Sequence, residues 1–203
     1  MPEGPDVWYL AKLINRIHPV SAHGKHIYVA SPAGFIDYSF GLTGKMLVTP
    51  TTISKNSCGY LPGDVDTVPV VGHGLGVSFM SMELEDFKKI VSEHFVKSRA
   101  MLATVMLNQK IIAGIGVAWG SEILHLAGLM PHIKACDQDL GKLADAMYQI
   151  KTFCMENFGR IADNVTDAEL IEVINTFNYR ILPMKVYKVG KQCQVGNRTW
   201  WTL

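Results

Sequence analysis

The sequence has no apolar run close to the roughly 20 residues that a helix needs to cross a bilayer, although 48% of its 203 residues are hydrophobic. A membrane-embedded protein is not expected, and those side chains are available for a buried core. Cysteine is scarce: four residues, at 58, 136, 154 and 193, with no Cys-x-x-Cys pair. Structural zinc takes four converging ligands, usually in close pairs, so neither a metal nor another cofactor is expected. The thiols read as reduced. Neither sign of charge is in excess, with 19 Lys+Arg against 18 Asp+Glu. The apolar content excludes a disordered chain. Internal repeats are absent. The first 25 residues carry acids at Glu3 and Asp6 and lack the uninterrupted apolar core of a secretory signal, so the expected location is intracellular, in nucleus, cytoplasm or nucleoid according to the host.

The balanced total hides an uneven distribution. Residues 178–203 hold Arg180, Lys185, Lys188, Lys191 and Arg198 and no acid. Residues 136–175 hold eight acids against Lys142, Lys151 and Arg160. A basic tail thus follows an acidic stretch, a pattern shared by nucleic-acid binders and by ordinary solvated faces.

Residues 4–17 begin Gly-Pro-Asp, with proline and an acid suited to a first helical turn. Val7, Leu10, Leu13, Ile14 and Ile17 then form an apolar helical stripe. Residues 26–30 and 35–40 flank Ser31-Pro32-Ala33-Gly34 and predict a β-hairpin, with another strand at 45–49. Residues 50–78 are rich in Thr, Ser, Gly and Pro and read as loop with short valine-rich strands. Helices are expected at 83–97, 99–109, 117–127, 137–158 and 166–177, and a small hairpin in the tail.

The chemistry is concentrated at the start of the chain. A proline in second place permits removal of Met1, leaving Pro2 as a secondary amine. An α-amino group titrates at about 7.7–8.0, so part of it is neutral and nucleophilic near pH 7. Attack on an aldehyde gives an iminium, an electron sink for elimination, and Glu3 beside it is suited to move protons. Taken alone, an inert second-position proline is the commoner case. It is not alone: MPEGPD opens the chain, FGLTGK follows at 40–45, GIGVAWGSEILHLAGLMP at 114–131, and VYKVGKQC with RTWW between 186 and 201. These motifs, in this order, resemble the formamidopyrimidine-DNA glycosylase/endonuclease VIII (Fpg/Nei) family of base-excision repair enzymes.

The resemblance implies an α+β protein: a reduced N-terminal β-sandwich with an N-terminal helix, then a helical helix-two-turn-helix domain and a remnant zincless finger. The implied division is 1–72 for the catalytic part, 73–82 for a linker, 83–182 for the helical domain and 183–203 for the finger. It implies a bifunctional glycosylase and abasic-site lyase whose partner is damaged or abasic DNA, single strands included. Pro2 would be the nucleophile and Glu3 the acid/base. Lys25 would stand near the lesion phosphates, the alternative being a solvent-facing lysine at a strand end. Leu42 would fill the void left by a flipped nucleotide, with Lys45 also in the DNA interface. Gly114 and Gly116 would let a phosphate approach a helix N-terminus. Arg198 would bind phosphates from the finger tip, while Glu122, Trp200 and Trp201 read as structural.

The chain also departs from that pattern. It is short for the family, and the stretch between the first helix and Lys25 is reduced, so the sandwich should lose strands. No counterpart of the intercalation loop is present in 50–72. Val117 stands where the family has a phosphate-binding asparagine; one lost hydrogen bond to a charged group is worth about 1.5–3 kcal/mol. Only Cys193 remains of the finger's four cysteines, which excludes zinc. Two readings follow: a compact zincless glycosylase/lyase, or a catalytically weak or inactive DNA-binding or protein-interaction module on the same scaffold.

Overall fold

The computed structural model describes residues 3–31, 34–39, 47–48, 53–54, 59–61, 74–177 and 181–203. Helix α1 (Gly4–Ile14) opens the chain. Its first turn is closed by the Asp6 carboxylate, which accepts the Glu3 backbone N–H at 2.9 Å. Val7, Leu10, Leu13 and Ile14, the stripe expected from sequence, are all buried. The helix is shorter than the 4–17 expectation because Arg16 turns away. Its guanidinium donates to the Val165 carbonyl at 2.7 Å and pairs with Asp167.

Strands β1 (Val20–His23), β2 (His26–Ser31) and β3 (Gly34–Ser39) form an antiparallel meander, with β4 (Leu47–Val48) and β5 (Ile53–Ser54) in a separate ladder. Strand β6 (Gly59–Leu61) completes the order β1-β2-β3-β6. The β2–β3 hairpin lies within a residue of its expected position. β1 was not expected, because Val-Ser-Ala-His carries too little apolar alternation to stand out. Its pairing with β2 makes Gly24-Lys25 a two-residue hairpin turn, since His23 faces His26 in the register. Gly24 has φ +58°, the left-handed value such a turn needs.

The next elements are β7 (Val77–Ser78), α2 (Leu84–Ile90), α3 (Leu102–Met106), β8 (Ile112–Ala113) and α4 (Val117–Ala127). They are followed by α5 (Leu143–Asp163), α6 (Leu170–Asn175), β9 (Lys191–Val195) and β10 (Arg198–Thr202). α2 begins with a reciprocal capping box between Glu83 and Asp86 and runs into a π-helical turn at Val91–Phe95. α3 is much shorter than the 99–109 expectation. The backbone around Ala100 and Met101 is drawn into an extended pairing, with Ala135 N–H donating to the Ala100 carbonyl at 3.0 Å and Met101 bridging Lys134. α4 has the bounds expected, ending on Gly128 in left-handed backbone at φ 72°. α5 starts late because the Asp139 carboxylate holds the Gly141 N–H at 3.0 Å.

The core lies between α1, α2, α4 and α5, with Phe79, Phe87, Trp119, Met147 and Phe158 fully covered. Tyr9 of α1 stacks on Phe158 of α5 at 5.0 Å between centroids. β9 and β10 form the expected tail hairpin, and buried Trp200 packs over Gly120 of α4. Helices and small sheets are thus mixed in one α+β fold. No described helix is long and apolar enough to cross a membrane.

Candidate nucleic-acid cleft

α4 begins directly after the Gly-Ile-Gly turn, and the first N–H groups of a helix lack intrahelical partners. Here they are satisfied by a residue more than a hundred positions away. The Glu3 carboxylate accepts the Ala118 N–H on Oε1 at 2.8 Å, and the Gly116 and Trp119 N–H groups on Oε2 at 3.1 and 3.0 Å. An anion at a helix N-terminus is also favoured by the helix dipole. The approach requires Gly116: a Cβ there would stand 2.3 Å from the Glu3 carboxylate carbon.

The adjoining backbone is equally tight. The Gly4 N–H donates to the Gly114 carbonyl at 2.7 Å, and Gly114 has φ +104°. The Gly114 N–H is held by the Gln109 side-chain carbonyl at 2.8 Å, while the Gln109 amide donates to the Leu107 and Ile115 carbonyls at 3.1 and 2.8 Å. The Gly24 N–H donates to the Ser78 hydroxyl at 3.2 Å. Three chain segments, at residues 3–4, 24–25 and 114–116, therefore meet around one point.

That point is the floor of a cleft of about 420 Å³, lined by Glu3, Lys25, Gln109, Gly116, Val117, Tyr187 and Arg198 among others. Lys25 enters from the β1–β2 turn. Arg198 enters from the first position of β10, just after the Gly196-Asn197 turn. The segment leading to that hairpin is fixed by Glu122, whose carboxylate accepts the N–H groups of Lys185, Val186 and Tyr187 at 3.0, 2.8 and 2.8 Å. Glu122 is structural, as its sequence position suggested.

The charges in the cleft act on one another. Burial pushes the Glu3 carboxyl above its ordinary value, opposed by the Lys25 ammonium and by the three N–H donors. Burial holds Lys25 below the usual lysine value, Glu3 and Asp6 oppose that shift, and Arg198 adds to it by repulsion. A carboxyl shifted upward and an ammonium shifted downward line the same cavity.

Among the residues singled out from sequence, Glu3, Lys25, Gly116 and Arg198 line this cleft, and Gly114 supports its wall. Pro2, Leu42 and Lys45 lie outside the described residues, as does most of 50–72. The Gly114 and Gly116 N–H groups are engaged within the protein, so the anion seated at this helix start is the Glu3 carboxylate itself. Gln109 was missed: between Asn108 and Lys110 it reads as a surface residue. Among the described residues no group of three His, Cys, Asp or Glu is placed to hold a metal ion.

No protein-family model matches the sequence, and no curated protein does either. Solved structures do match. The MutM (Fpg) protein of Thermus thermophilus superposes with a TM-score of 0.68 at 17% identity, covering 100% of this chain and 97% of that one. The chain has the Fpg fold. Lactococcus lactis Fpg bound to DNA containing N7-benzyl-Fapy-dG gives a TM-score of 0.66 at 13% identity, covering 100% and 98%. The same enzyme with THF-DNA and an inhibitor gives 0.67 at 12% identity, with the same coverage. At these identities the likeness is one of fold, and this Fpg-fold chain differs from those proteins at more than four positions in five. The agreement spans essentially its whole length, so it takes in the helices and the terminal hairpin as well as the N-terminal sheet.

Proposed function

We propose that this chain is a DNA-repair glycosylase with abasic-site lyase activity, using the Pro2 amine freed by removal of Met1. In this reading residues 1–72 carry the nucleophile, while the helix-two-turn-helix region of 83–182 and the zincless finger of 183–203 hold damaged or abasic DNA, with Leu42 and Lys45 at the lesion. One observation supports it: Glu3 is locked to the start of α4 in the same cleft as Lys25 and Arg198.

The neutral amine attacks C1′ of the lesion. The C1′–N bond breaks and the base leaves with a proton; the C1′–O4′ bond then breaks, O4′ takes a proton, and the opened sugar is an iminium. Loss of a C2′ proton then breaks the C3′–O bond and releases the phosphate, and water returns the amine. Glu3 is suited to carry protons because burial raises its carboxyl, and Lys25 to give one up because burial and Arg198 lower its ammonium. Arg198 neutralises flanking phosphate. Gly114 and Gly116 serve DNA binding indirectly, by letting Gly4, Gly24 and the Glu3 carboxylate pack closely at the start of α4.

A second reading, a DNA-binding module without turnover, is favoured by Val117, which presents an apolar side chain to the cleft at the first position of α4. Borohydride separates the two. With abasic-site DNA the lyase gives a reduced covalent adduct whose DNA-bearing peptide maps to residue 2. Binding without an adduct supports the module. Activity with Met1 retained would overturn the assignment of Pro2.

A further inference from the structure

Lys188 is the one non-glycine residue with positive φ among those described, at 64°. A side chain is disfavoured in left-handed backbone, where glycine is at ease. The surroundings impose the conformation. Immediately before it, the Tyr187 N–H is fixed on the Glu122 carboxylate at 2.8 Å. Immediately after it, the Val189 and Gly190 N–H groups both fold back onto the Val186 carbonyl, at 3.0 and 2.8 Å. The chain must turn sharply here to enter β9, and glycine would make that turn without strain.

The lysine places a cation where glycine places none. Its ammonium lies 6.0 Å from the centroid of the Tyr187 ring, close enough for attraction to the aromatic face. Tyr187 is braced edge-on by Trp201 at 5.8 Å and lines the cleft with Lys25 and Arg198. Residues 178–203 contain no acid of their own, and the Glu122 carboxylate beside this turn accepts three backbone N–H groups. Strained backbone tends to persist where it serves a site.

We propose that Lys188 is a DNA-backbone contact of this cleft, its strained conformation retained for the phosphate-binding charge it sets beside Tyr187. The proposal rests on the DNA-binding reading above and extends the cationic surface beyond Lys25 and Arg198 to the base of the hairpin.

The test compares Lys188→Gly and Lys188→Ala with the unaltered protein, using thermal melting and titration of a duplex containing an uncleavable abasic analogue at several salt concentrations. Lys188→Gly should raise Tm by about 2–6 °C. It should also weaken binding roughly three- to tenfold and flatten the slope of log K against log salt by about one. Lys188→Ala should lose the same affinity without the gain in Tm, since alanine is also disfavoured in left-handed backbone. Unchanged affinity and slope in both variants would overturn the proposal while leaving the DNA-binding reading intact. A Tm unmoved or lowered in Lys188→Gly would overturn the claim of strain. Failure of the unaltered protein to bind the duplex with a salt-dependent affinity would remove both readings together.

Discussion

Replacing Glu3 by alanine tests whether its carboxylate organises the cleft, and it does so without DNA. The carboxylate accepts three backbone N–H groups of α4, and Glu3 is only 6% exposed. Water cannot readily replace those acceptors. A hydrogen bond to a charged group is worth about 1.5–3 kcal/mol, so the gross loss is roughly 4–9 kcal/mol. Relief from burying the carboxylate offsets part of this, and removing one side of a buried charged arrangement typically costs about 3–5 kcal/mol. For a chain of this size 1 kcal/mol moves Tm by about 2–4 °C, so Glu3→Ala should melt at least 6 °C lower. Urea unfolding should show a lower midpoint with an unchanged slope. Glu3→Gln keeps one acceptor oxygen but turns an NH₂ toward an N–H donor, so it should fall between the two. A loss below about 1 kcal/mol in Glu3→Ala, the level of one ordinary hydrogen bond, would refute the capping role and with it the docking of the start of α1 on α4.

Gly116→Ala should destabilise to a similar degree, since its Cβ would meet the Glu3 carboxylate at 2.3 Å. Combined with Glu3→Ala it should add little, and full additivity in urea unfolding would show that the two residues do not share one contact. The raised Glu3 carboxyl has a pH signature. Between 4.5, its ordinary value, and its higher folded value, the native state binds more protons than the unfolded chain. This group's contribution to stability therefore falls as pH rises through that window. The stability gap between the unaltered protein and Glu3→Gln should widen as pH drops from 7 toward 4.5; a narrowing gap would contradict the sign. Val117→Asn returns a donor to the cleft wall, so affinity for abasic-analogue DNA should rise by about ten- to a hundredfold, and unchanged binding would place the phosphate elsewhere. Arg198→Ala should flatten the salt dependence of binding by about one unit of slope.

The parts of this fold that were legible in the sequence are those whose signal is local. α1 and α4 carry an uninterrupted apolar stripe and their own start or stop residues, and both emerged close to the expected positions. The β2–β3 hairpin was legible because Ser-Pro-Ala-Gly separates two apolar runs, and the tail hairpin because Gly, Lys and aromatics mix there. Elements that depend on distant partners were not. β1 exists because β2 pairs with it, and β7 because it runs parallel to β8, Val77 against Ile112. α3 is cut short by its pairing with residues 133–135. The cleft divides in the same way. Motif order pointed to Glu3, Lys25, Gly116 and Arg198, but nothing local said that Glu3 caps α4, because that contact joins residues 3 and 118. Gln109 was hidden for a related reason: a glutamine that ties up a turn has the same letter as one in solvent.

The cleft is a junction, and its electrostatics follow from that. Glu3 and Gly4 bring the start of α1 to the Gly-Ile-Gly turn, Gly24 seats the Lys25 turn against Ala113, and Glu122 fixes the segment that carries the Arg198 hairpin. Each anchoring carboxylate is paired with backbone N–H groups, and the Glu3 carboxylate also attracts the Lys25 ammonium. Lys25 and Arg198 are consequently held near enough to repel, which is one reason the Lys25 ammonium is weakened. An anion entering between them would relieve that repulsion, whereas a neutral ligand would not. The placement of these two cations is thus set by how the three segments are tied together, in a chain whose net charge is only +1.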